Sequence, residues 1–454
     1  MNRTPLRPLR RPRHRPLATA LALAMSATGL SAVHDAAAAP LIVTNCNDTG
    51  AGSLRDTIVN QAMSGDTVSF SASLPCSTIT LSSGQITITQ QELSIVGPGA
   101  SALAIDGGSV GRVFRHTGFG TLSLSGLTIT HGKYSAGSGI AAGGCLNSDG
   151  NVALVDSKVT SCLAHATGTA SAYGGGIFAE GSLTLTRSRL AYNIVEGPAN
   201  PATPPFVTVR GGGAYVIGNL LVYYSTINAN TASSPDRRAS GGGIETLANA
   251  TINHSTISGN QADSAGALGE GSANAVTITI VDSTISGNRA TATAGAIETS
   301  VPLAIWNSTI AFNQADYAHG GIYSSATMIM QSSIVADNIV FGNGAESDVD
   351  GSASVSGNDN LIVASTVPVP GDTITACPQL VALADNGGAT RTHSLRHTSP
   401  AIEKGSADLM AVPFDQRGSG FPRAFRGFVD IGAFESQGVD DGLFSAGFDT
   451  GCDR

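Results

Sequence analysis

From residue 143 to 338 one pattern recurs seven times, and so short a recurrence leaves few folds open. Each unit opens on small residues and an apolar one, at Leu146, Ile177, Ala214, Ile244, Leu268, Ile297 and Ile322. A serine follows eleven residues later, or fifteen in the Leu268 unit: Ser157, Ser188, Ser225, Ser255, Ser283, Ser308 and Ser333. Five residues past each serine stands Cys162 or an asparagine (Asn193, Asn230, Asn260, Asn288, Asn313, Asn338). Apolar residues alternate around the serine, as in Leu183, Leu185 and Leu190, so the pattern predicts very short strands broken at fixed corners. Such strands bury nothing singly, whereas stacked coils share an apolar column. The sequence therefore predicts an all-β parallel β-helix with coils ~4.8 Å apart. Its asparagines are expected to bond from coil to coil as a structural ladder, and its opening glycines to sit at corners of positive φ. A β-sandwich would also show short strands, but it would not hold serine and asparagine in register.

Variation is confined to one corner. Between the asparagine position and the next opening lie four to seventeen residues, the longest stretch being 194–210 with Pro198, Pro201, Pro204 and Pro205. Because that corner returns once per coil, these excursions are expected to project from one edge as variable loops, where binding usually lives.

The first sixteen residues hold six arginines and no acid, residues 17–33 are apolar or small, and Ala36–Pro40 offers small-residue cleavage sites. That order reads as a signal peptide cut after Ala38. No later stretch is long and apolar enough to span a bilayer. Removing six arginines and Asp35 from 24 basic and 33 acidic residues leaves a net charge of −14, with three lysines in the whole chain. Such a surface argues against nucleic acid and anionic membranes as partners. Six cysteines without a C-x-x-C spacing favour disulfides in an oxidising compartment over zinc.

A solenoid exposes apolar ends and must cover them. Ser53 is placed to cap a short helix carrying Leu54, Ile58 and Ala62 on one face, flanked by Cys46 and Cys76, which can close it covalently. Cys145 and Cys162 occupy one coil and can bridge it; Cys377 with Cys452 follows only by elimination. Asp415, Arg417, Arg423, Asp430 and Glu435, alternating with Gly and Phe, read as a paired-charge network over the last coil. The expected divisions are a signal peptide (1–38), an N-terminal cap with the first coils (39–100), repeats (101–365), a C-terminal cap (366–437) and a tail (438–454).

Asn45–Arg55, Gly65–Phe70 and Cys76–Ile79 resemble the N-terminal region of exported bacterial right-handed β-helix proteins, related in fold to pectate lyases and polymorphic outer-membrane proteins. Ala384–Gly388, Ser399–Ile402, Asp415–Gly418 and Asp430–Glu435 resemble the choice-of-anchor Q module. The resemblance implies a right-handed coil and an extracellular or cell-surface location on a Gram-negative bacterium.

No catalytic motif carries over from that group. The acids best placed by the repeat are Glu245 and Glu298, each following an opening apolar residue two coils apart, with Glu270 in the coil between. Stacking predicts ~10 Å between the first two, near the upper limit for an inverting glycosidase; equally, all three read as solvated charge. Tyr173, Phe178, Tyr192, Phe206, Tyr215, Tyr223 and Tyr224 crowd around the longest excursion, as a sugar-stacking set or as its packing. His254 and Asp282 share one repeat slot, without a nucleophile beside them. No metal site is assigned; calcium is the one ion that the glutamates, or Asp348, Asp350 and Asp359, would suit. The expected function is non-catalytic display, adhesion or binding of carbohydrate through the rim, and its competitor is polysaccharide cleavage by the three glutamates.

Overall fold

A computed structural model describes residues 41–199, 207–271, 277–406 and 412–438. The chain is the right-handed parallel β-helix expected from its repeat. From the coil of Thr121–Ser125 onward the chain crosses four sheets in turn, and the earlier coils cross three. The coil from Leu183 runs through a first sheet (Leu183–Thr186), a second (Arg189–Ala191), a rim sheet (Ile194–Glu196 and Val209–Arg210) and a third (Ala214–Val216). These sheets hold twelve, eleven, thirteen and ten strands respectively. Inward side chains stack like on like: Ile129, Val159, Leu190, Ile227, Ile257, Ile285, Ile310 and Val335 form one buried column.

The corners explain the serine and asparagine. Asp156, Arg187, Tyr224, His254, Asp282, Asn307 and Ser332, each just before a column serine, all have φ between 43° and 49°. A left-handed turn costs a non-glycine residue ~1–2 kcal/mol, and the next side chain offsets it. Each serine hydroxyl donates back two residues, as Ser188 to the Thr186 carbonyl (2.9 Å), and from Ser188 onward each accepts the backbone N–H of the serine one coil earlier (3.2 Å from Ser157). The asparagine ladder does the same for the next corner: Asn193 donates through backbone N and Nδ2 to Asn230 Oδ1, and so on to Asn338. It begins at Cys162, whose N–H bonds Asn193, and ends on Asp348. The opening corner has positive φ at Gly143, Gly174, Gly211 and Gly241, but uses Ala265, Ala294 and His319 in later coils. A Cβ on Gly174 would lie 2.0 Å from the Ile177 carbonyl.

The variable excursions gather along one edge, and they fold largely into strands rather than loops. Long coils contribute two rim strands and short ones a single strand, around a small alanine-rich core that includes Ala141, Ala164, Ala172, Val195, Val209 and Ala239. Residues 200–206, including Phe206, lie outside the described residues.

At the start, Ser53 Oγ accepts the Asp56 N–H (3.1 Å), capping Leu54–Asp56, and the turn continues as a π-helical segment, Thr57–Gln61, with Leu54 and Ile58 buried. Cys46–Cys76 and Cys145–Cys162 are disulfides; Cys377 is also disulfide-bonded, and Cys452 lies outside the described residues. The charge-rich C-terminal segment departs from expectation. Instead of covering the last coil it lies along the flank, on the second sheet's outer face. Gln416 bonds Thr256 and Thr284, His393 bonds Ser286, and the Ala433 N–H donates to Thr309. The physical reason is the row Ala311, Ile334, Ala336 and Leu361, which needs cover and receives it from Leu380, Leu395, Ala401 and Ile431. Asp415 pairs with Arg417, Arg423 with Asp282, and the Asp430 N–H bonds Glu435.

Candidate functional site

Two regions follow from this arrangement, a packed seam and an open groove. The first lies where the third sheet turns against the rim. Its middle positions run in register as Asn147, Phe178, Tyr215, Glu245, Gly269, Glu298 and Tyr323. Facing them are Tyr173, Arg210, Ser240, Ser264 and Thr293 of the rim. Tyr173 stacks on Tyr215 with centroids 4.7 Å apart, and Phe178 on Tyr215 at 5.8 Å, so this aromatic trio is largely packed away. Burial, with Tyr173 alongside, pushes the Tyr215 hydroxyl up to about 12.

Glu245 is fully buried rather than solvated. Its carboxylate pairs with Arg210 and accepts from Ser240 Oγ at 2.8 Å. Burial raises its pKa, while Arg210 pulls the other way. Gly269 and Gly271 leave the space: a Cβ on the first would sit 2.2 Å from Glu245 Oε2, and on the second 2.9 Å from the Arg210 guanidinium. Glu298 shares the column with Glu245, as expected, and is also raised by burial. Glu270 does not join them: it pairs with Thr246, one position along, and accepts from Ser300 Oγ at 2.8 Å. The three glutamates are thus not one cluster.

The remaining candidates disperse. Tyr224 lies tilted against His254, with centroids 4.6 Å apart, beneath the C-terminal segment and away from the Tyr173 trio. His254 and Asp282 occupy matching corners without bonding each other; burial takes His254 down to about 4, and Asp282, beside Arg423, up to about 7. Asp348 closes the asparagine ladder, and Asp350 bonds Thr366 and pairs with His319. Among the described residues no group of three or more His, Cys, Asp or Glu is arranged to hold a metal ion.

The second surface was not anticipated. Where the C-terminal segment stops short, the second sheet's outer face forms the floor of an open groove of about 540 Å³, walled by Asp385 and Gly388–Arg391. Lys158, Arg189 and Thr226 stand in one column of the floor, with Arg187, Tyr192 and Tyr224 beside them. Arg187 is matched by Asp156 (2.7 Å) and Arg189 Nε donates to Asn228 (2.9 Å). That leaves Lys158, Arg189 and Arg391 against Asp385, a local cationic excess in a chain of net charge −9. A signal for it existed in the sequence. The residue after the column serine is threonine in four coils (Thr226, Thr256, Thr284, Thr309) but basic in two consecutive ones, Lys158 and Arg189.

No family model matches the chain, and no curated protein sequence matches it. A solved structure, pectate lyase Pel9A, aligns over 88% of this chain and 97% of its own, at 13% identity and a TM-score of 0.45.

Proposed function

We propose that this is an exported, non-catalytic β-helix protein that binds an acidic polysaccharide in the groove between the second sheet and the C-terminal segment. The observation that carries the reading is the column of Lys158 and Arg189, facing Arg391 across an open groove in an otherwise acidic chain. Carboxylated sugars suit it, because cations recognise their charge while Tyr192, 55% exposed, offers a ring face to the pyranose. The two disulfides suit an oxidising compartment, and the basic-then-apolar first segment supplies the export signal. Retention at a Gram-negative surface, through the region resembling the choice-of-anchor module, completes the reading.

Cleavage through Glu245 and Glu298 is the weaker reading, since Glu245 has no surface for a substrate and is held by Arg210 and Ser240. The test is a calorimetric titration with polygalacturonate and with a neutral galactan, alongside an assay for new reducing ends and unsaturated products. Binding of the acidic polymer alone, weakened about tenfold (~1.5 kcal/mol) by Arg189→Ala, supports the proposal. Products that vanish in Glu298→Ala would replace it with the enzymatic reading.

A further inference from the structure

The first sheet presents an outer face unlike the others. No side chain on any of its twelve strands is charged. The other three sheets all carry charge, among them Lys158 and Arg189, Arg115 and Glu298, Lys133 and Glu196. Two outward columns run in register along the face. One passes through Thr184, Leu221, Thr251, Thr279, Ala304 and Ile329; the other through Thr186, Tyr223, Asn253, Val281, Trp306 and Gln331. Ile329 is 47% exposed, and Trp306 is the chain's single tryptophan.

We propose that this face is a homodimer interface, occupied by the same face of a second copy. Three arguments select that occupant. Interface cores are depleted of charge, and this face carries none, while Leu221, Tyr223, Trp306 and Ile329 supply apolar area among its serines and threonines. Two copies of an acidic chain repel except where neither carries charge, and this sheet is such a surface. Finally, twelve strands at ~4.8 Å spacing, two outward columns wide, offer ~700 Å² per copy, close to the ~800 Å² per partner of a stable interface. A two-fold axis lets one flat sheet pack on its mate at ~10 Å. A single glycan strand would follow one column and leave either Ile329 or Trp306 in water, whereas a second sheet covers both.

The full chain is examined by light scattering and by Trp306 fluorescence across a wide concentration range. The expected result is a mass approaching twice the monomer, with emission shifting to the red on dilution as Trp306 meets water. Ile329→Lys and Thr186→Lys, each placing charge on the face, should raise the dissociation constant at least tenfold while circular dichroism and polygalacturonate binding stay unchanged. Thr186→Lys replaces a partly exposed side chain, so it decides the matter even where Ile329→Lys folds poorly. A monomer at every concentration overturns the proposal, as does a dimer indifferent to both lysines or a monomer that adsorbs neutral glycan through this face. Loss of polygalacturonate binding with the dimer intact would count against the groove alone.

Discussion

Asparagine in this fold is a backbone substitute, and its removal should be felt accordingly. Asn260 Oδ1 accepts from Asn230 N and Nδ2 (3.0 and 2.9 Å), and its own Nδ2 donates to the Ile227 carbonyl (3.1 Å). Asn260→Ala strands all three buried groups, and we expect a loss of about 3 kcal/mol in urea unfolding, against less than ~0.5 kcal/mol for Thr251→Ala on the outer face. Equal effects at the two sites would mean that the ladder bears no load. The ladder's end is a special case, because Asp348 accepts from Asn338 with one oxygen and from the Ala364 N–H with the other. An amide there could satisfy only one. Glu245 is the other residue whose meaning changed on folding. Its position in the repeat was legible, but its burial was not, since Arg210 comes from the preceding coil and the space from glycines in the next. Glu245→Ala should cost about 2 kcal/mol, short of the ~3–5 kcal/mol for a fully buried pair because Arg210 keeps some solvent, and leave polygalacturonate binding unchanged.

Among elements, strands and corners were readable because each coil repeats one task with one set of residue types. The sequence suggests loops at the rim because alanine, glycine, serine and threonine show no strong alternation there, and its pairing depends on neighbours a whole coil away, as Ala172 on Val209. The coil bridge Cys145–Cys162 closes a separation of 17 residues; replacing both with serine should lower stability by ~3 kcal/mol, seen as a lower urea midpoint under non-reducing conditions, while Cys46–Cys76 stays intact. The flanking C-terminal segment and the corner it covers contribute to the pH dependence. Burial, and Asp430 beside it, push Glu435 up to about 8, and burial pushes Asp282 up to about 7. Carboxyls raised on folding contribute stability that is complete below the unfolded value near 4 and is lost as pH rises through 7 to 8. His393, held down to about 4 by burial, acts oppositely: its contribution is present above the unfolded value near 6.5 and is lost as pH falls toward 4. Melting temperature should therefore decline from pH 6 to 9, and Glu435→Gln should flatten that decline. An unchanged slope in the variant would remove Glu435 from this role.

At the scale of the molecule, a uniform coil acquires function from what interrupts it. The C-terminal segment covers the apolar end of the second sheet's face and stops before Lys158 and Arg189, and the groove exists because of that stop. Contacts such as Gln416 to Thr256, 160 positions apart, leave no local trace in the sequence. The repeat therefore announced the scaffold but not the groove. Hydrogen exchange of the intact chain with and without polygalacturonate tests this most directly. We predict slowed exchange in residues 158–160, 189–191, 226–228 and 385–391, with the rim strands unchanged. Protection on the rim at 194–196 and 209–210, or none on the groove, would contradict it.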